Sequence, residues 1–268
     1  MKLYLNVMMM ALAGSQLWAG CNSAQDAGPV LKLNVTEGRP IVDCVFVNGH
    51  GPYRFLLDTG SNVNLIEPDL ARIIDMKAAF KLDLASSSGK TELPGSDGNQ
   101  IALASVEAAD QKFLFMGLEA VHKLDPGIRG VLGQWFLSRF DYLIDLRAKR
   151  LEFGKQERNG ARAPFKWINA RTVVSTSLGH LVLDSGAVRL VLFGVASDSG
   201  GRGIVNTLTG SQTIGAASRT LIIEGRNVWH GDAVTMSSRT EPGVAGLLPL
   251  SLFKMIYVSN SEGYIVFE

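Results

Sequence analysis

Two short segments of the chain could do chemistry together. Phe55-Leu56-Leu57-Asp58-Thr59-Gly60 and Leu181-Val182-Leu183-Asp184-Ser185-Gly186 each run from apolar, strand-like residues into a carboxylate, a small hydroxyl and a glycine. Glycine tolerates backbone conformations closed to other residues, so a strand ending this way can turn sharply and present its Asp at a loop tip backed by a rigid sheet. If the two copies face each other across a pseudo-two-fold axis, Asp58 and Asp184 come within hydrogen-bond range. Two carboxylates that close cannot both ionise, and the pair retains one proton. The ionised member is then a general base for a trapped water. The protonated member is a general acid for the oxyanion that develops as that water attacks a carbonyl such as a peptide. This scheme calls for no metal, no cofactor and no covalent intermediate. Other machinery is missing from the sequence: His50, His122, His180 and His230 are scattered, and neither a paired-His zinc motif, a Gly-x-Ser-x-Gly elbow nor a Walker-type phosphate loop occurs.

The elements needed to hold such a pair are legible as a repeat. After Leu31 the chain reads almost wholly as β-strand punctuated by Gly-rich turns. Ile41 to Val47 is rich in β-branched residues, and Asn48-Gly49-His50-Gly51-Pro52 forms a strong hairpin turn that delivers Tyr53 to Leu57 to Asp58. Helical periodicity is confined to short pieces such as Pro68 to Met76. Downstream of each Asp comes a Gly flanked by apolar residues, then a short apolar stretch and a terminal hairpin. The first copy is Gly130-Val131-Leu132-Gly133, Trp135 to Phe140 and Tyr142 to Phe153; the second is Gly246-Leu247-Leu248-Pro249, Leu250 to Met255 and Tyr257 to Phe267. Matching parts in matching order imply two lobes of one architecture. The expected organisation is an N-terminal lobe at residues 31–155, a polar linker at 156–164 and a C-terminal lobe at 165–268, all-β with small helices.

Phe55 to Ile66, together with Gly130-Val131-Leu132-Gly133-Gln134-Trp135-Phe136-Leu137, resembles the retropepsin-like and pepsin-like aspartic proteases, bacterial relatives included. The resemblance implies a bilobal acid-protease fold with Asp58 and Asp184 catalytic. It makes Thr59 and Ser185 the hydroxyls that lock the two active loops, flanked by Gly60, Ser61 and Gly186. It makes Val131, Leu132, Gly133, Leu247 and Leu248 the ψ-shaped support beneath them. It also implies a substrate-covering flap in Ser86 to Gly98, centred on Gly95, Ser96, Asp97 and Gly98, with a second-lobe counterpart in Ser197 to Gly215. Two departures fall in the second half: Ala187 stands where the first lobe has Ser61, and Pro249 replaces the expected Gly, removing a backbone donor. The implied partner is a peptide or protein substrate. One chain holds both half-sites, so a monomer suffices, and a homodimer through two first lobes is the alternative. An inactive binding protein on the same fold is the other rival.

The 268 residues are 46% hydrophobic and 19% charged, the balance of a folded protein with a sizeable core. Residues 1–20 read as an export signal: Lys2, an apolar run from Leu3 to Ala13, then small residues before Cys21. Leu17-Trp18-Ala19-Gly20-Cys21 is similar to a bacterial lipoprotein signal. Cys21 would then be lipidated as the first mature residue, residues 21–30 a tether, and the cell envelope the location; ordinary cleavage and soluble secretion is the alternative. Removing 1–20 takes one Lys from 26 basic residues and none of the 25 acidic ones. The resulting neutrality gives no hold on nucleic acid. Cys44 reads as a small buried hydrophobe, and a disulfide to Cys21 as the less favoured option.

Overall fold

The computed structural model describes residues 30–86, 89–103, 105–198, 203–207, 210–236 and 242–268. The expected signal at 1–20, Cys21 and nearly all of the tether lie outside them.

Each lobe opens on a hairpin whose second strand ends at an Asp. In the first, Arg39–Val47 turns into His50–Leu57. Asn48 and Gly49 sit at φ 52° and 77°, both left-handed, as an Asn-Gly two-residue turn requires. In the second, Arg171–Thr176 turns into Gly179–Asp184. Beside each Asp-bearing strand runs a parallel one, Ile128–Leu132 or Gly246–Pro249, with Leu57 opposite Leu132 and Leu183 opposite Leu248. Antiparallel to these lie Leu65–Ile66 and Val191–Phe193. These strands pair in turn, in parallel, with Val106–Phe115 and Arg226–Met236. The same parts in the same spatial order make the lobes pseudo-two-fold equivalents. Strands with parallel neighbours on a sheet covered on both faces need continuous apolar runs rather than alternation. Phe55-Leu56-Leu57 and Leu181-Val182-Leu183 are accordingly buried throughout.

A third layer ties the halves together. The antiparallel order is Val30–Lys32, Arg150–Phe153, Tyr142–Asp145, Met255–Ser259, Tyr264–Phe267, Ala161–Ile168. The two lobe-ending hairpins thus meet at the centre, Tyr142 opposite Val258 and Ile144 opposite Ile256. Tyr142 and Tyr257 are fully buried there. One continuous core joins Leu57 and Leu132 of the first lobe to Leu183 and Leu248 of the second. Truncating a residue of the central pair, such as Ile256 to Ala, removes packing worth about 2–5 kcal/mol, so the sheet fixes the lobes, and the two loops with them.

The linker expected at 156–164 is shorter than the sequence suggested. Residues 161–164 already pair with Tyr264–Phe267, Ala161 opposite Phe267 and Pro164 opposite Tyr264. Ala161 and Ala163 point inward while Arg162 and Pro164 face out. Pro164 is tolerated because it stands where the strand leaves this partner for Arg171–Thr176, a junction that can lack a donor.

Cys44 is buried at 7% exposure, as expected, but it is disulfide-bonded rather than a simple hydrophobe. The chain contains two cysteines. A thioether to lipid at Cys21 and an intrachain disulfide both need the same sulfur, so they exclude each other. We expect Cys44 of the denatured protein to resist alkylation until a reductant is added. Alkylation of unreduced, denatured protein at Cys44, seen by peptide mass spectrometry, would instead favour the lipidated form.

Candidate active site

The loops after Leu57 and Asp184 meet tip to tip. Thr59 Oγ1 donates to Leu183 O at 2.8 Å and accepts from Ser185 N at 3.0 Å; Ser185 Oγ donates to Leu57 O at 2.6 Å and accepts from Thr59 N at 2.9 Å. Both hydroxyl residues are at 0% exposure. Each loop therefore satisfies the other's backbone, and neither can shift alone. Hydroxyls are required here because only they donate and accept at one atom.

The glycines set how closely the loops approach. A Cβ on Gly60 would lie 2.4 Å from Cγ of Asp184, and one on Gly186 would lie 3.0 Å from Cγ of Asp58. Any side chain there would drive the carboxyl groups apart. Within each loop, Asp58 Oδ1 accepts from Gly60 N at 2.9 Å, while Asp184 Oδ1 accepts from Gly186 N at 2.8 Å and Ala187 N at 2.9 Å. Ala187 serves through its backbone, so the missing hydroxyl at this position leaves the carboxylate supported. Ser61 uses its own hydroxyl locally, donating to Val63 O at 2.8 Å.

The two carboxyl groups are hydrogen-bonded to each other and share a proton. Burial, then the repulsion of Asp184, pushes Asp58 up to about 7. Burial raises Asp184 as well, opposed by the N–H groups of Ala187 and Gly186 and by the Arg171 guanidinium. The shared hydrogen bond raises Asp58 and lowers Asp184. The pair accordingly holds one proton and one negative charge between them, an acid and a base side by side. Each Asp retains 9% exposure, enough for water to reach an otherwise enclosed pair.

The support beneath the loops differs between lobes in a compensated way. In the first, Gly133 N donates to the buried Asn64 Oδ1 at 3.0 Å, and Gln134 Nε2 donates to Thr59 O at 2.7 Å. Leu132 O accepts from Asp58 N at 2.9 Å. In the second lobe Pro249 takes the place of Gly133, opposite Asp184, and Leu190 stands six residues after Asp184 as Asn64 stands six after Asp58. The proline has no N–H to satisfy and the leucine no acceptor to offer, so donor and acceptor are lost together. Leu132 and Leu248 face the shared core, whereas Val131 and Leu247 belong to separate clusters on the opposite face.

The stretch expected as the flap centre, Gly95 to Gly98, does not lie at the reversal of its hairpin. The hairpin Phe80–Ser86 to Gly89–Leu103 reverses between Ser86 and Gly89, which pair with each other, whereas Gly95 pairs with Phe80 at its base. Gly95 to Gly98 is a bulged stretch of strand: the register against Val106–Phe115 shifts between Ser96 and Asn99, and Gly98 has φ 67°. Gly95 is glycine because a Cβ would meet Phe80 Cζ at 2.5 Å. The second lobe carries an equivalent hairpin, Gly203–Thr207 to Gly210–Ile223, reversing between Thr207 and Gly210.

Residues not singled out from the sequence complete the site. Arg39 and Arg171 each open the strand that precedes the Asp-bearing strand of its lobe. Arg39 Nε donates to Gly186 O of the opposite lobe at 2.7 Å. Burial lowers Arg171, and the negative charge of Asp184 and Asp58 counters this. Its positive charge in turn opposes the rise of Asp184. No group of His, Cys, Asp and Glu suited to a metal occurs among the described residues.

Residues 44–136 match the model of a family described as aspartyl protease. No curated protein matches the sequence. Among solved structures, the chain is similar to the aspartic proteinase from Irpex lacteus at 12% identity and a TM-score of 0.51, covering 89% of this chain and 96% of that one. It is also similar to Basic 7S globulin from soybean at 11% identity and a TM-score of 0.52, covering 89% and 94%. The geometry of the two loops and the fold shared through both halves give this chain the two-lobed pepsin-like fold, and its first lobe is similar to the aspartyl protease family.

Proposed function

We propose that the chain is an aspartic endopeptidase that hydrolyses peptide bonds with a water activated between Asp58 and Asp184. The observation that carries this reading is the hydrogen-bonded, one-proton carboxyl pair held by reciprocal Thr59 and Ser185 bonds. Ionised Asp184 takes a proton from the water as it attacks the carbonyl carbon. Asp58 gives its proton to the carbonyl oxygen; on collapse of the tetrahedral species the amine leaves with the proton held by Asp184, and Asp58 recovers its own from the hydroxyl as the carbonyl re-forms. Arg171 stabilises the single negative charge throughout. Both half-sites come from one chain, which supports a monomer as the working unit. Export to an oxidising compartment is proposed too, supported by the Cys44 disulfide and the signal-like residues 1–20.

The test is cleavage of a mixed peptide library by the exported protein from acid to neutral pH, beside Asp58→Asn and Asp184→Asn. Loss of cleavage in either variant is the expected result. Cleavage surviving Asp184→Asn would point to a homodimer working through first lobes. A folded protein that cleaves nothing at any pH would be a binding protein on this fold.

A further inference from the structure

The peptide unit between Thr59 and Gly60 is bonded on both sides. Its N–H donates to Asp58 Oδ1 at 2.9 Å, and its carbonyl oxygen accepts from Gln134 Nε2 at 2.7 Å. A peptide unit is planar, so whatever fixes the carbonyl also aims the N–H at the carboxyl group. Gln134 is 2% exposed and opens the short helix Gln134–Leu137; its own backbone N–H donates to Ser61 O at 2.8 Å. The second lobe grips the far end of that helix: Asn260 Nδ2 donates to Leu137 O at 3.0 Å and to Phe140 O at 2.6 Å. The other end of the Gln134 amide, Oε1, is sealed from solvent, as is the hydroxyl of Tyr142, and among the described residues neither has another partner. The two side chains interact. A buried phenol donor and a buried amide acceptor left to each other pair, because an unmet polar group costs more than the bond constrains. Tyr142 itself is fixed opposite Val258 in the sheet that joins the lobes. The second lobe lacks this amide. Leu250 follows Pro249 as Gln134 follows Gly133, and a leucine has no donor to offer Ser185 O.

We propose that Gln134 is a positioning residue for Asp58: oriented by the Tyr142 hydroxyl, its amide fixes and polarises the Thr59–Gly60 peptide, which in turn aims its N–H at the Asp58 carboxyl. Hydrogen bonds in a chain strengthen one another, so the Gly60 N–H is a better donor for having Gln134 on its carbonyl. That N–H opposes the rise that burial imposes on Asp58. The relay runs from the sheet between the lobes to one aspartate and not to the other, so the two halves of the site are held differently although the fold is two-fold symmetric. Its catalytic consequence rests on the endopeptidase reading.

The experiment compares the exported wild type with Gln134→Leu, Gln134→Met, Tyr142→Phe and a core truncation in the second lobe's long hairpin, Leu221→Ala, a fully buried position. Peptide cleavage is measured well below each melting temperature, and the melting temperature is followed from about pH 4 to pH 9. Both Gln134 variants should lose kcat by roughly 10- to 100-fold with KM unchanged. Tyr142→Phe should lose less, and Leu221→Ala should keep its kcat at a similar drop in melting temperature. Without the amide the Gly60 N–H supports the carboxylate less well, so Asp58 keeps its proton to higher pH. The pH range over which the melting temperature falls should then extend upward in both Gln134 variants. The charged groups around Asp58 are Asp184 and Arg171, with Arg39 on Gly186 O, and these substitutions leave all three in place. A Gln134 variant whose kcat follows that of Leu221→Ala overturns the relay and keeps the peptidase. Where the wild type cleaves nothing, the peptidase reading falls and the melting profile decides: an upward extension keeps the relay, and a profile parallel to the wild type overturns it. If Gln134→Leu does not fold, Gln134→Met and Tyr142→Phe carry the same comparison.

Discussion

The Asp58→Asn variant is expected to cleave peptides ~10²- to 10⁴-fold more slowly than the wild type, and yet to unfold at a higher temperature at pH 8. Asn retains the Oδ1 that accepts from Gly60 N and replaces the carboxyl proton with an amide donor facing Asp184. It removes one of two buried charges. In the wild type, Asp58 titrates at about 7 in the folded protein against 3.8 for the free group. The sign follows directly. Below the unfolded value both states hold the proton, and burial of the neutral acid costs little. Between about 4 and 7 the unfolded chain gives up its proton while the folded one retains it, so stability falls as pH rises. Above about 7 the loss is complete. A shift of roughly three units at about 1.4 kcal/mol each puts the loss on the order of 4 kcal/mol. Asp184, also raised, acts in the same direction. Wild-type melting temperature should therefore drop from pH 5 to pH 8 while that of Asp58→Asn drops much less. The gap should reach several degrees, at ~2–4 °C per kcal/mol for a protein of this size. Melting curves that run parallel for the two proteins would contradict the raised titration of Asp58. Wild-type cleavage should itself decline above about pH 7, as the pair loses the proton that Asp58 donates.

The pair and its lock were legible in the sequence because their signal is local and repeated. An apolar run ending in Asp, a hydroxyl and Gly states both the strand and the turn, and finding it twice states the symmetry. What was not legible depends on register between distant strands. The exchange of Asn64 and Gly133 for Leu190 and Pro249 makes sense only once Leu57 is set opposite Leu132 and Leu183 opposite Leu248. Read alone, Pro249 looks like a defect. Arg171 sits on the other strand of the hairpin that bears Asp184, and nothing in its own neighbourhood of sequence separates it from a surface arginine. Gly95 to Gly98 was expected at the centre of a flap because glycine marks turns and bulges alike. Gly95 and Gly98 are there for a close ring contact and a left-handed bulge, not for a reversal. The linker was overdrawn for the opposite reason: Gly160 and Pro164 masked the in-out alternation of Ala161 to Phe165.

The largest structural effect is expected from Thr59→Val, which preserves the shape of the side chain and deletes Oγ1. Two buried backbone groups, Ser185 N and Leu183 O, lose their partner at that atom, at about 1–3 kcal/mol each. Ser185→Ala does the same to Thr59 N and Leu57 O. Each single variant should lower the melting temperature by roughly 5–15 °C. Thr59→Ser, which loses only a methyl group, should cost little by comparison. Catalysis should suffer beyond the loss of fold. The lock sets the separation of the two carboxyl groups, and a misplacement of about 1 Å costs on the order of 10²-fold in rate. Measured well below its melting temperature, Thr59→Val should thus lose kcat with little change in KM, and Thr59→Ser should keep both. A Thr59→Val protein as stable and as active as the wild type would mean that the loops are held by the six-stranded sheet alone. In that sheet Tyr142–Asp145 and Met255–Ser259 already join the lobes, but they sit beneath the site and fix the lobes as bodies. The reciprocal hydroxyl bonds act at the residues adjoining the aspartates, where an error of a fraction of an ångström reaches the proton shared between Asp58 and Asp184.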